Sequence, residues 1–155
     1  MRPLAVGDSA SDFACGRDDL DDYLRRRAWA NHVRGASRCF VAAQTGRVLG
    51  FYALSAGQVE RQSLPGRVRR QMPDPIPVIV LARLAVDQSW QGRGLGAGLL
   101  KDALVRACAA AEIVGARALV VHAADAAARD FYRHFDFQPF GDDPLHLFTS
   151  LVQPA

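Results

Sequence analysis

Val78-Ile79-Val80-Leu81-Ala82-Arg83-Leu84-Ala85-Val86, followed shortly by Gln91-Gly92-Arg93-Gly94-Leu95-Gly96, is the stretch that sets the architecture. The first part is a near-continuous run of strand formers, which implies a strand buried on both faces. The second part is a glycine-rich turn. Beyond it, Leu100, Leu104, Ala107 and Ala111 recur on one helical face, with Lys101, Asp102 and Arg106 turned to water. Gly115 suits the end of that helix. Ala118-Leu119-Val120-Val121-His122 then reads as the next buried strand. Strand, helix and strand over residues 78–122 predict a right-handed parallel crossover.

Upstream, Pro73-Asp74-Pro75-Ile76-Pro77 cannot be helical and predicts an extended run-in. Gln58 to Met72 is polar and Arg-rich and predicts short helical turns. Cys39–Gln44 and Val48–Ser55 are apolar strand candidates joined by Thr45-Gly46-Arg47, a β-hairpin pattern. Before them, Asp18 is a candidate N-cap of a helix whose apolar face is Leu20, Leu24 and Ala28, leaving Arg25, Arg26 and Arg27 largely outward. Downstream, Ala126–Phe135 predicts a helix, and strands are expected near Phe137–Phe140 and Leu145–Leu151. The class is therefore α/β (α+β), a mixed sheet with helices on its faces, in one domain over residues 1–155.

Half of the residues are hydrophobic and 23% are charged, as in a soluble globular protein. No window approaches the ~18 to 20 consecutive apolar residues of a membrane helix. The N-terminal stretch lacks the apolar core of a secretion signal, so the expected compartment is the cytoplasm. Cys15, Cys39 and Cys108 are odd in number and widely spaced, which predicts reduced thiols. His32, His122, His134 and His146 show no metal-ligand spacing, and no metal is expected.

The net charge is only +3, yet the cations cluster. Arg25, Arg26, Arg27, Arg34, Arg38, Arg47, Arg61, Arg67, Arg69 and Arg70 lie between Tyr23 and Met72, where Glu60 is the sole acid. A solvated basic surface is one reading. A localised anionic partner is the other, and arginine suits it because its guanidinium forks onto phosphate.

The turn at 91–96 fits a pyrophosphate. Glycines let backbone N–H groups approach a phosphate closely, and a helix N-terminus adds unsatisfied donors and positive dipole. Arg93 adds a formal charge. The P-loop pattern is absent, because no Gly-Lys-Ser/Thr follows. The dinucleotide pattern also fails: the acid near the required distance, Glu112, lies within the helix.

Gln-x-x-Gly-x-Gly after a strand ending in Ala85-Val86 resembles motif A of the GNAT N-acetyltransferases, with Gln91, Gly94 and Gly96 at the motif positions. Ala127-Ala128-Arg129-Asp130-Phe131-Tyr132 follows in the matching order. The resemblance implies a GNAT fold, mostly antiparallel, with two splayed central parallel strands. It assigns Leu84, Ala85 and Val86 to the pantetheine arm of acetyl-CoA and Gln91, Gly92, Arg93, Gly94, Leu95, Gly96 and Ala97 to its pyrophosphate. Asp125 and Phe131 complete the expected coenzyme contacts.

Acetyl transfer from a thioester needs a neutral amine, a polarised carbonyl and a proton for the leaving thiolate. Tyr132 is the candidate catalytic acid, because a phenol with reference pKa ~10 keeps its proton at neutral pH. Its ring can also serve as core packing, although Phe131 and Phe135 supply such packing by themselves. A carboxylate base is not apparent. The chain has two glutamates, Glu60 and Glu112, and Arg83 stands on the central strand where a base could sit. An α-amine, with pKa ~7.7 to 8.0, needs far less help than a lysine at ~10.4. The pattern leans toward an α-amine near an anionic scaffold, with His122 or a bound water as other bases.

The string Met72-Pro73-Asp74-Pro75-Ile76-Pro77 running into the strand 78–86 resembles the signature of TacT-type toxins. Leu20-Asp21-Asp22-Tyr23-Leu24, Gly35–Val41, Gly50–Leu54 and Arg69-Arg70 follow the same order, so the resemblance spans nearly the whole chain. It implies acetylation of aminoacyl-tRNA, a homodimer, and a ribbon-helix-helix antitoxin. Arg38, Arg69, Arg70, Arg83 and Arg93 are then the leading tRNA-binding candidates, with Arg25, Arg26, Arg27 and Arg34 behind them. One departure is Asp136 before Phe137, where the family pattern has glycine. Two other functions fit the sequence: acetylation of protein lysines or small amines, and a scaffold in an antitoxin-bound, DNA-binding repressor.

Overall fold

The computed structural model describes residues 1–151; residues 152–155, the end of the expected domain, lie outside the described residues. The chain opens with a short strand, β1 (Arg2–Pro3), that hydropathy does not reveal. Helix α1 (Asp18–Arg26) and helix α2 (Ala28–Arg34) follow, separated at Arg27. The sequence suggested one helix, because Leu20, Leu24 and Ala28 keep a single apolar spacing across the break. Arg17, not Asp18, is the residue before α1, and no side chain caps it. The acidic first turn faces the positive helix end instead, and Asp21 turns inward to accept the Cys15 N–H at 3.0 Å.

Strands β2 (Arg38–Gln44) and β3 (Arg47–Val59) form the expected antiparallel hairpin, with Gln44 opposite Arg47. Its turn is two residues, Thr45 and Gly46, both at positive φ (49° and 77°), the geometry that matches strand twist. Arg47 belongs to the strand, and β3 runs four residues past the expected Ser55, to Val59. The polar stretch folds into a 3₁₀ turn (Arg61–Ser63) and the short helix α3 (Gly66–Arg69). Strand β4 (Ile76–Val86) starts inside the proline run, and the helix after the glycine turn, α4, spans Leu95–Val114. Gly115, at φ +81°, stops it. Strand β5 (Ala118–His122), helix α5 (Ala126–His134) and strands β6 (Gln138–Pro139) and β7 (His146–Ser150) complete the order. Asp136 takes the left-handed conformation (φ +69°) where the family pattern has glycine.

The strands form one seven-stranded mixed sheet in the order β1-β2-β3-β4-β5-β7-β6. β4 and β5 pair in parallel; β1/β2, β2/β3, β5/β7 and β6/β7 are antiparallel. Contacts divide the chain into two units, Met1–Ser55 with Ala82–Val105, and Ala56–Leu81 with residues from Arg106 onward. The first has a core of Phe13, Tyr23, Leu24, Val41, Val48 and Phe51, closed by Ala28 and Ala85. Gly50 is a notch in this core: a Cβ there would lie 2.9 Å from a Leu99 methyl and 3.3 Å from the Ala85 carbonyl oxygen. The second unit packs Leu64, Val68, Ile76, Val78, Val120 and Phe148 together. On α4 the buried face is Leu99, Leu100, Ala103 and Ala107, one residue round from the face read in the sequence: Leu104 and Ala111 are only half-buried.

Candidate functional site

The loop after β4 is held by Asp87, a residue the sequence reading passed over. Asp87 is 4% exposed. One carboxylate oxygen accepts the Ala14 N–H at 3.0 Å; the other accepts the Ser89 N–H at 3.0 Å and the Ser89 hydroxyl. Burial opposes ionisation of this carboxyl. The hydrogen bonds from Ser89 and Ala14 and the nearby Arg47 outweigh it, and its pKa falls below the ordinary aspartate value. Two backbone bonds seat the same corner: Asp87 N–H donates to Leu49 O at 2.8 Å, and Gln88 N–H donates to Ala14 O at 2.8 Å. Sequence alone hid this anchor because its partner Ala14 lies 73 residues away.

Gln91 continues the bracing. Its side-chain amide donates to Cys15 O at 2.8 Å and to Val86 O at 2.9 Å, so the side chain shapes the turn while the backbone beyond it faces out. Gly92 and Gly94 are exposed at φ +76° and +84°, with open space where a Cβ would stand. Gly98 N–H donates to Gly94 O at 3.1 Å and begins the α4 ladder. The N–H groups of Leu95, Gly96 and Ala97 precede the ladder within α4 and lie at its positive end. The guanidinium of Arg93 lies 4.8 Å from the centre of the Trp90 ring, which holds a cation beside these donors. Left-handed glycines, unladdered N–H groups and a charge fit a pyrophosphate.

On the strand before this loop, Leu84 and Val86 are half-buried and Ala85 is buried. Parallel pairing with β5 stops at Leu81 opposite Val121, while β4 itself runs on to Val86.

Tyr132 lies in α5, a helix capped by Asp125, whose carboxylate accepts the Ala128 N–H at 2.8 Å. The Tyr132 ring is buried, edge-on to Phe131 at 5.2 Å and tilted against Phe137 at 5.5 Å. The ring packs, as one of the two sequence alternatives has it, while the hydroxyl has no bonding partner among the described residues and is not sealed off. Burial pushes its pKa upward, so the phenol is firmly protonated at neutral pH. Phe131 is half-buried beside it.

Among the arginines, Arg38, Arg70 and Arg93 are exposed, and Arg69 and Arg83 are half-buried. Arg83 stacks on Tyr23, 3.8 Å from the ring centre, and lines a cavity of about 320 Å³ with Asp19, Asp22, Arg26 and Arg27. The fold thus joins Arg83 to two arginines placed behind it in the sequence reading. Arg38 donates to His32 O at 2.5 Å, and Arg69 to Gln62 O at 3.4 Å. All three cysteines are free thiols; burial pushes the Cys15 pKa up to about 11 and that of Cys39 to about 12. No helix among the described residues is long and apolar enough to cross a membrane.

The family model described as an acetyltransferase (GNAT) domain matches residues 35–139. The tRNA-acetylating toxin of Mycobacterium tuberculosis is 57% identical over 146 residues, covering 94% of this chain and 88% of that protein. Two solved structures share the fold. AtaT complexed with acetyl-methionyl-tRNAfMet superposes with a TM-score of 0.89 at 29% identity, covering 96% of this chain and 92% of that one. A tyrosine-to-phenylalanine mutant of AtaT, bound to the C-terminus of the antitoxin AtaR and acetyl-CoA, gives a TM-score of 0.81 at 28% identity, covering 97% and 91%. The glycine turn after a long central strand and a domain match over most of the sequence lead to one conclusion: this chain belongs to the GNAT acetyltransferase family.

Proposed function

We propose that this chain transfers the acetyl group of acetyl-CoA to the α-amine of the amino acid on a charged tRNA, and so blocks translation as the toxin of a toxin–antitoxin pair. The observation that carries the reading is its identity with a tRNA-acetylating toxin over nearly all of the chain. In this reading acetyl-CoA is a substrate that supplies an activated thioester. The backbone of Gln91–Ala97 and Arg93 hold its pyrophosphate; Leu84, Ala85 and Val86 hold the pantetheine arm; Asp125 and Phe131 border it. The amine lone pair attacks the thioester carbonyl, the C–S bond breaks, the Tyr132 hydroxyl gives its proton to the departing sulfur, and the proton shed by the acylated nitrogen restores the phenol, directly or through water.

Arg38, Arg69, Arg70, Arg83 and Arg93 bind tRNA phosphates. No strong base is required, since an α-amine is largely neutral near pH 8. Residues 1–155 act as one domain, in the cytoplasm with the charged tRNA, as a homodimer neutralised by a ribbon-helix-helix antitoxin. Mass spectrometry of a charged tRNA pool incubated with enzyme and acetyl-CoA tests the reading. N-acetyl-aminoacyl-tRNA is expected; intact aminoacyl-tRNA beside acetylated lysine or free amine would replace it with the broader amine-acetylating function.

A further inference from the structure

His122 closes β5 and stands opposite His146 on β7. Their rings meet edge-on with centres 4.2 Å apart, so both imidazoles project from one face of this strand pair. Asp143, in the loop leading into β7, reaches the same point. Its Oδ1 accepts the Leu145 N–H at 2.9 Å, which orients the carboxylate, and its Oδ2 lies 3.4 Å from His122 Nε2. One ligand atom from each of the three lies within 4.8 Å of the others. Phe140 stacks on His146 at 5.8 Å and nearly parallel, and its N–H donates to His146 O at 3.0 Å, so the second imidazole is held from behind.

Two imidazoles and one carboxylate are the donor set of three-ligand zinc sites, which keep a fourth position open. Zinc–nitrogen bonds of about 2.0–2.1 Å imply a tetrahedral edge of about 3.4 Å. The His122–Asp143 edge already has that length. The other two edges are 4.8 Å or less and would close by side-chain rotations of the exposed His122 and the partly exposed Asp143 and His146. A cavity of about 420 Å³, walled by Val59, Val80, Val120 and Phe140, opens beside the histidines. We propose that His122, Asp143 and His146 bind one zinc-class divalent cation whose fourth position faces this cavity. Imidazole donors favour zinc, nickel or copper over magnesium and calcium, which seek oxygen-rich shells. The proposal does not rest on the tRNA reading.

The test uses the full chain without an affinity tag, stripped with a chelator. Titration calorimetry with Zn²⁺ should give one ion per chain at micromolar affinity or better, and Mg²⁺ should give no heat. Co²⁺ should give the visible bands of a four-coordinate nitrogen–oxygen site. His122→Ala and His146→Ala should each weaken Zn²⁺ by about 100-fold or more, and Asp143→Asn by about 10- to 100-fold; those figures start from the loss seen when mere outer-shell partners are removed. Zn²⁺ should also raise the melting temperature of the parent and not of the histidine variants. Far-UV circular dichroism checks that each variant is folded, and His146→Gln replaces His146→Ala if that variant is not. No uptake at micromolar metal, uptake unchanged by either histidine variant, or a thiolate-to-cobalt charge-transfer band would overturn the site.

Discussion

At the residue scale, Tyr132 would separate packing from the chemistry proposed for it. Its ring is fixed by Phe131 and Phe137, while its hydroxyl holds nothing among the described residues. Tyr132→Phe should therefore leave the melting temperature within about 1 °C, as expected for a change of a few tenths of a kcal/mol. It should lower kcat by roughly 10²- to 10⁴-fold, the usual contribution of a positioned acid. Because the phenol pKa is raised, its deprotonation should not limit the rate anywhere near neutrality. Asp87 behaves in the opposite way. Its folded pKa is depressed, so its stabilisation is present above the unfolded aspartate value and is lost as pH falls through the folded one. Asp87→Asn should cost roughly 2 kcal/mol at pH 7 by breaking charge-assisted bonds. It should also flatten the stability profile below pH ~4, where the parent declines; parallel decline of the two in urea titrations would refute this. The helix that carries Tyr132 was readable in the sequence. Asp87 was not, because the strand-to-loop contact with Ala14 exists only once the chain has folded.

At the element scale, two glycines carry different loads. Gly94 opens α4 at φ +84° in free space, so Gly94→Ala brings strain without a clash, about 1–2 kcal/mol. In the proposed function its effect should appear as a raised KM for acetyl-CoA, with the KM for tRNA unchanged. Gly50 lies inside the first core, where an added Cβ meets Leu99 and the Ala85 carbonyl. Gly50→Ala should destabilise the fold by about 1–3 kcal/mol through overpacking, read as a lower urea midpoint at unchanged slope. The glycine turn, its flanking strand and the hairpin were legible because their composition is extreme. The break between α1 and α2 was not, because apolar spacing continues through Arg27. Nor was β1, whose two residues carry no periodicity and exist as a strand only through their pairing with Phe40 and Val41.

On the scale of the whole molecule, a chain of net charge +3 concentrates its cations in one stretch of sequence. If that stretch binds tRNA, affinity should fall with salt. Each lost phosphate contact should reduce the slope of log K against log salt by about 0.7–0.9. Arg83, which lies beyond that stretch on β4, is proposed to bind tRNA with it: Arg83→Ala should show that reduced slope and a weaker tRNA affinity, while a slope equal to the parent's would assign Arg83 to the Tyr23 cavity alone. The sequence order of elements and the α/β class were legible. The meeting of His122 with His146 was not, because strand register, rather than sequence spacing, brings them together. The Tyr132 hydroxyl, unbonded among the described residues, has a genetic consequence as well. A single base change turns a tyrosine codon into one for phenylalanine, and in the proposed mechanism it would silence the chemistry while keeping the ring contacts with Phe131 and Phe137. In a population forced to express the proposed toxin without its antitoxin, survivors should accumulate at this codon. The silenced protein they carry should still be abundant, soluble and able to sequester antitoxin made for active copies.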